Sequence, residues 1–166
     1  MPDSDELKKA QSVALKYLSY RDRSEFEIRE RLARKDFAKA TIQSTIDWLI
    51  RLGYLNDERF ALSWSRSRVS AKKFGEHRMR KELSAKGLAT GIIEKTLRTI
   101  YSETNERDLA QSLAKKKLSL LKGVDSKSQS RRLAQYLQRK GFPSDTVFKT
   151  VKELIPYNND REFSSS

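Results

Sequence analysis

The chain carries the same apolar frame three times. A pattern built around Leu32 returns around Leu83 and Leu137. Ile28, Met79 and Leu133 stand four residues before these leucines, and Ile42, Ile93 and Val147 stand ten after them. Ile46, Leu97 and Val151 follow at plus fourteen, then Leu49, Ile100 and Leu154 at plus seventeen. Successive leucines are 51 and 54 residues apart. A period of this length describes a modular array whose neighbouring units share contacts, because one such unit alone buries too little surface to be robust. Arrays of this kind usually offer a long face to a macromolecule rather than a catalytic pocket.

Apolar residues recur at helical spacing almost throughout, and no stretch alternates with period two. The spacing predicts an all-α fold of nine helices in three triplets, spanning residues 5–55, 56–103 and 104–156, with 157–166 as a flexible tail. In the first triplet Leu7, Ala10, Ala14, Leu15 and Leu18 form one stripe. Ser24 and Glu27 then make a Ser-x-x-Glu capping box ahead of Ile28 and Leu32. A third helix from about Lys39 to Leu52 buries Ile42, Ile46, Leu49 and Trp48, with Gly53 as its left-handed exit. Asn56 caps the next helix, with Asp57 and Glu58 in the first turn, where the helix dipole favours negative charge. Thr90 and Ser144 are the expected caps of the last helices of the second and third triplets, and Pro156 is the expected end.

A lysine stands three residues after each framing leucine, at Lys35, Lys86 and Lys140, followed by Asp36-Phe37, Gly87-Leu88 and Gly141-Phe142. A glycine with positive φ lets the following amides turn back onto the last carbonyls of a helix, and the same dipole favours the preceding cation. These lysines are therefore structural first. Asp36 breaks the glycine pattern, so the first triplet must turn through a costlier residue.

Charge narrows the partners. The formal net charge is +13, and it is concentrated. Residues 65–90 hold eight Lys/Arg against two acids, and residues 111–140 hold nine against one. Fields of this kind attract nucleic acid, an anionic membrane or an acidic protein surface, while the bland reading is a solvated basic surface. Candidate contacts are Arg66, Arg68, Lys72, Lys73, Arg78, Arg80, Lys81, Lys86, Lys115, Lys116, Arg131 and Arg132. On the middle helix Met79 and Leu83 point inward, so Arg78 and Lys81 share an outward face flanked by Arg80 and Lys86. Trp48, Phe60, Trp64 and Phe148 fall on or beside apolar stripes and are expected in the core. Tyr17, Tyr20, Tyr54 and Tyr136 are candidates for exposure at a partner surface.

Catalysis finds little support. No cysteine is present, and His77 is the only histidine, expected at a surface helix position. No phosphate loop, dinucleotide fingerprint or nucleophile elbow appears, so no enzymatic activity, cofactor or metal is expected. The absence of cysteine agrees with a reducing compartment, nothing approaches an apolar run of about 18 residues, and the acidic start is unlike a signal peptide. A cytoplasmic monomer with no membrane association is the expectation.

Two ordered motifs then carry a specific likeness. Tyr54-Leu55-Asn56-Asp57-Glu58-Arg59-Phe60-Ala61 is followed by Gly75-x-x-Arg78-Met79-x-x-Glu82-Leu83-x-x-Lys86-Gly87-Leu88, and the third triplet adds Arg132-Leu133-x-x-x-Leu137-x-Arg139-Lys140-Gly141-Phe142. This arrangement resembles the RecX family of bacterial recombinase regulators over about residues 12–155. Asn56, Met79, Leu88 and Asp36 are small departures at positions where the family often has aspartate, isoleucine, isoleucine and glycine. The resemblance implies three tandem three-helix units in an elongated, curved array. It also implies binding to the RecA filament on single-stranded DNA, in the filament groove, with inhibition of its ATPase, strand-exchange and coprotease activities in recombination and the SOS response. The competing reading from the residues alone is a basic helix-turn-helix-like DNA-binding protein without a recombinase partner. An enzyme acting on nucleic acid is a weaker third.

Overall fold

The computed structural model describes residues 1–156. Among the described residues there are nine helices and no strand: α1 (Ser4–Leu18), α2 (Glu25–Ala33), α3 (Lys39–Arg51), α4 (Asp57–Lys72), α5 (Glu76–Ala85), α6 (Thr90–Glu103), α7 (Glu106–Ser119), α8 (Ser126–Lys140) and α9 (Ser144–Leu154). The fold is all-α, with three three-helix repeats. No helix among the described residues is long and apolar enough to cross a membrane. The tail expected at 157–166 lies outside the described residues.

The chain divides into two compact units. Unit 1 comprises Met1–Arg66 and Lys81–Arg98; unit 2 comprises Ser67–Arg80 and the described residues from Thr99 onward. In unit 1, α1, α2 and α3 close around Ala10, Ala14, Ile28, Leu32, Ile42, Ile46, Leu49 and Leu55, with Val13, Tyr17, Phe37 and Trp48 packed at the rim. The small residues of α1 let α3 approach closely. Ala38, at the start of α3, has no capping side chain. Glu6 of α1 supplies the acceptor instead, taking the Ala38 N–H at 3.1 Å and the hydroxyl of buried Thr41. Those two hydrogen bonds hold its carboxyl below the ordinary range.

In unit 2, α7 contributes buried Leu109, Ala110, Leu113 and Ala114, α8 contributes Leu133 and Leu137, and α9 contributes Val147 and Thr150. Leu109 and Leu113, Ala110 and Ala114, and Leu133 and Leu137 stand four apart, and Val147 and Thr150 three apart, the spacings that put side chains on one helix face.

The middle helix of every repeat ends in the same turn. Phe37, Leu88 and Phe142 each donate their N–H back to the framing leucine's carbonyl, Leu32, Leu83 and Leu137, at 3.4, 3.3 and 3.2 Å. The turning residues are Asp36 at φ 61°, Gly87 at 72° and Gly141 at 93°. Asp36 thus adopts the left-handed geometry that glycine fills in the other two repeats.

Four expectations need correction. Phe148 is 66% exposed. It follows Val147, which takes the buried position on α9, and so turns about 100° off the apolar stripe, where Lys152 Nζ lies 5.9 Å from its ring. Leu15 is likewise exposed because its neighbour Ala14 holds the core position. Thr90 and Ser144 are first helical residues rather than caps. The first helical hydrogen bonds run from Ile93 N–H to Ala89 O and from Val147 N–H to Pro143 O, so the chain enters both helices one residue earlier.

Candidate nucleic-acid interface

The repeat frame puts equivalent residues at two places where helix ends meet, one inside each unit. One residue before Ile28 stands Glu27, and one before Met79 stands Arg78. Seven before the same two positions are Arg21 and Lys72. Three after Leu83 and Leu137 are Lys86 and Lys140.

In unit 1 the start of α2 is clasped to the end of α5. Ser24 and Glu27 form the expected capping box, each side chain accepting the other's backbone N–H at 3.2 Å. The Ser24 hydroxyl donates to the Lys86 carbonyl at 2.7 Å, and the Glu25 N–H donates to Asp57 Oδ1 at 2.8 Å. Glu27 then becomes a charge hub. Arg21 Nη2 lies 2.6 Å and Lys86 Nζ 2.8 Å from its Oε1, with Arg23 Nη1 at 3.9 Å. Trp64 covers the cations, its ring 4.5 Å from Lys86 Nζ and 5.3 Å from Arg21 Cζ. Burial pushes the Glu27 carboxyl upward, but hydrogen bonds from Arg21, Lys86 and the Ser24 backbone outweigh it and hold the group at about 2.

Unit 2 repeats this clasp between the start of α5 and the end of α8. The Gly75 N–H donates to the Lys140 carbonyl and the His77 N–H to the Gly141 carbonyl, both at 2.9 Å. The Glu76 N–H donates to Glu106 Oε1 at 2.8 Å, as Glu25 does to Asp57. Burial raises both of these carboxyls, Asp57 and Glu106. The Tyr101 hydroxyl donates to the Phe74 carbonyl at 2.7 Å, and burial drives it upward too. Backbones approach so closely here that a Cβ on Gly75 would lie 2.6 Å from the Gly141 carbonyl carbon and the Phe142 nitrogen.

Charge is where the clasps part. The position of Glu27 is filled by Arg78. Lys140 Nζ and Arg78 Cζ both sit over the Phe74 ring, at 5.5 and 4.7 Å from its centroid. Lys140 Nζ reaches the Lys72 carbonyl at 3.4 Å and stands 5.8 Å from the ring of half-buried Tyr136, with Lys117 Nζ 5.3 Å from the same ring. Arg78 Nη1 donates to the Arg139 carbonyl at 3.2 Å. None of Lys72, Arg78 and Lys140 has a carboxylate partner among the described residues. Burial, followed by the charges of Lys72 and Arg78, pushes Lys140 below the ordinary lysine value.

Of the twelve cations singled out in the sequence, the structure gathers Lys72 and Arg78 at one spot. Lys86 is consumed by Glu27, its side chain 21% exposed. Arg80 pairs with Glu76 at 2.9 Å. Lys81, Lys115, Lys116, Arg131 and Arg132 are exposed, as is Arg66, whereas Arg68 and Lys73 are half-buried. Lys140 belongs with Lys72 and Arg78 although α4, α5 and α8 are far apart in the sequence. The repeat register was the signal that could have found it, because it sets Arg78 over Glu27.

Comparisons with known proteins fix the lineage. Residues 10–49, 56–97 and 105–151 match the models described as the first, second and third three-helix domains of RecX. The chain belongs to the RecX family. It is 36% identical to the regulatory protein RecX of Prosthecochloris aestuarii, over 93% of this chain and 99% of that one. The regulatory protein RecX of Amycolatopsis mediterranei is 31% identical, over 93% of this chain and 88% of its own. The crystal structure of RecX from Lactobacillus salivarius superposes with a TM-score of 0.81 at 28% identity, covering 92% of this chain and 98% of that one. These RecX relatives are named as regulators, and the role of this chain is regulatory.

Proposed function

We propose that this chain binds the RecA filament on single-stranded DNA and lowers its ATPase, strand-exchange and coprotease activities, serving recombination and the SOS response from the cytoplasm. The observation that carries this reading is the match to all three RecX domains along one chain. The physical support is a basic protein whose cations are unevenly satisfied: unit 1 neutralises its clasp internally, while unit 2 leaves three cations open to an external anion. Regulation of this kind needs only contacts that favour one filament state over another, without bond chemistry.

The deciding experiment adds the purified chain to its cognate recombinase on single-stranded DNA and follows ATP hydrolysis. Hydrolysis slows as the chain is added. Unchanged hydrolysis, together with preference for one duplex sequence, overturns the proposal in favour of a helix-turn-helix-like DNA-binding protein.

A further inference from the structure

A carboxylate is the natural occupant of the second clasp, and the chain does not supply one. In the first clasp, Arg21 and Lys86 converge on Glu27 within hydrogen-bond distance. In the second, Lys72 and Lys140 take the repeat-equivalent places, and the central residue is a third cation, Arg78. Folding brings Arg78 and Lys140 together over the ring of Phe74, and the Lys72 carbonyl accepts from Lys140 Nζ at 3.4 Å, with the Lys72 charge acting on the same ammonium. Such convergence is unfavourable unless something offsets it. Donors are available: Arg78 uses only Nη1 internally, and Lys140 makes only one long bond through Nζ.

We propose that Lys72, Arg78 and Lys140 form a cradle for a phosphate group of single-stranded nucleic acid, with Tyr136 at its edge for contact with the neighbouring base. A phosphate offers several strong acceptor oxygens, which suit one guanidinium fork and two ammonium groups better than a single carboxylate does. Tyr136 is half-buried with two cations near its ring, Lys117 Nζ at 5.3 Å and Lys140 Nζ at 5.8 Å, so phosphates flanking a base that contacts the ring have partners as well. The equivalent position in the first clasp is Glu82, an acid that accepts the Trp64 indole N–H at 3.1 Å and would repel such a strand. The assignment rests on the nucleic-acid side of the function proposed above.

The test measures binding of the chain alone to a fluorescein-labelled single-stranded oligothymidylate by anisotropy, across a series of salt concentrations. Arg78→Gln with Lys140→Gln weakens binding by about tenfold or more at low salt and flattens the salt dependence, since fewer counterions are released. Lys39→Gln with Arg51→Gln, exposed cations of unit 1 outside either clasp, changes binding little. Far-ultraviolet circular dichroism and a thermal melt accompany each variant; the cradle variant melts no lower than the original chain, because a repulsion has been removed. Oligothymidylate binding equal to that of the original chain overturns the cradle. If the cradle variant keeps oligothymidylate binding but loses inhibition of ATP hydrolysis, the three cations meet an acidic protein surface and the phosphate assignment is wrong. If it loses oligothymidylate binding while the original chain leaves hydrolysis unaltered, the cradle stands and the recombinase reading falls.

Discussion

The clasp in unit 1 and the clasp in unit 2 are built on one backbone plan and differ above all in the sign of the central side chain. Both hold the start of one middle helix against the end of the next repeat's middle helix. Each receives an amide, from Glu25 or Glu76, on a half-buried acid in the following helix, Asp57 or Glu106, at 2.8 Å. The first then closes its charge with Glu27, and the second opens it with Arg78. Repetition supplies the scaffold, and departures from it mark where the scaffold was put to use. A site found this way needs no pocket.

The largest expected effect comes from forcing the first clasp to resemble the second. Glu27→Arg places a cation among Arg21, Arg23 and Lys86 and breaks the capping box, so it should destabilise the chain by about 3–5 kcal/mol, the range for removing one partner of a buried ion pair. Urea unfolding followed by circular dichroism measures this. A loss below about 1 kcal/mol would place the pair with exposed salt bridges and remove the contrast between the clasps.

Acid probes the same hub without mutation. The folded Glu27 carboxyl, at about 2, lies below its ordinary value of 4.5. Its contribution is therefore complete above pH 4.5 and disappears as pH falls toward 2. The difference corresponds to about 3 kcal/mol at 1.36 kcal/mol per unit. Asp57 and Glu106 shift in the opposite direction, so a whole-protein melt mixes the signs. Carbon NMR titration of the Glu27 carboxyl isolates it, and a midpoint near 4.5 would mean that the hub does not hold it ionised.

Backbone proximity distinguishes the clasps next. Ser24 reaches the Lys86 carbonyl through its hydroxyl, whereas Gly75 reaches the Lys140 carbonyl through its own N–H and has no room for a Cβ. Gly75→Ser copies the first clasp's residue into the second and should destabilise unit 2 by about 1–3 kcal/mol through overpacking. Hydrogen exchange at the Gly75 and His77 amides reports the loosening; undiminished protection would show that the backbones can part without loss.

The fold was legible because burial is periodic. The leucine frame placed Leu32, Leu83 and Leu137 in the core, and the Lys-Gly pair marked the turns after α5 and α8. The cap positions at Ala89 and Pro143 escaped because neither offers a capping side chain, and Phe148 escaped because one step around a helix separates core from solvent. The sequence marked Lys72 by charge alone, and Arg78 by charge and by its place on the outward face of its helix. It did not reveal which cations an acid already holds, since pairing of Lys86 with Glu27, or of Arg80 with Glu76, depends on side-chain geometry that charge counting ignores. Lys140 carried two roles at once: its helix-end position explained it structurally, and its convergence with Arg78 appears only when α5 and α8 are brought together.

The smallest effect has the most informative sign. Arg78→Glu gives the second clasp the carboxylate of the first, opposite Lys72 and Lys140. In an exposed setting a new ion pair contributes little, about 0.5–1 kcal/mol, but it also removes a like charge from beside Lys140. Stability should therefore rise slightly while oligothymidylate binding falls further than in Arg78→Gln, because the phosphate's place is now filled and its charge repelled. Urea midpoints and anisotropy on the same sample test both halves. A gain in stability paired with lost binding would mean that the open charge at Arg78 is kept for a ligand at the expense of the fold. A loss of stability would instead mean that the Arg78 contacts with Phe74 and the Arg139 carbonyl matter more to unit 2 than the charges around them.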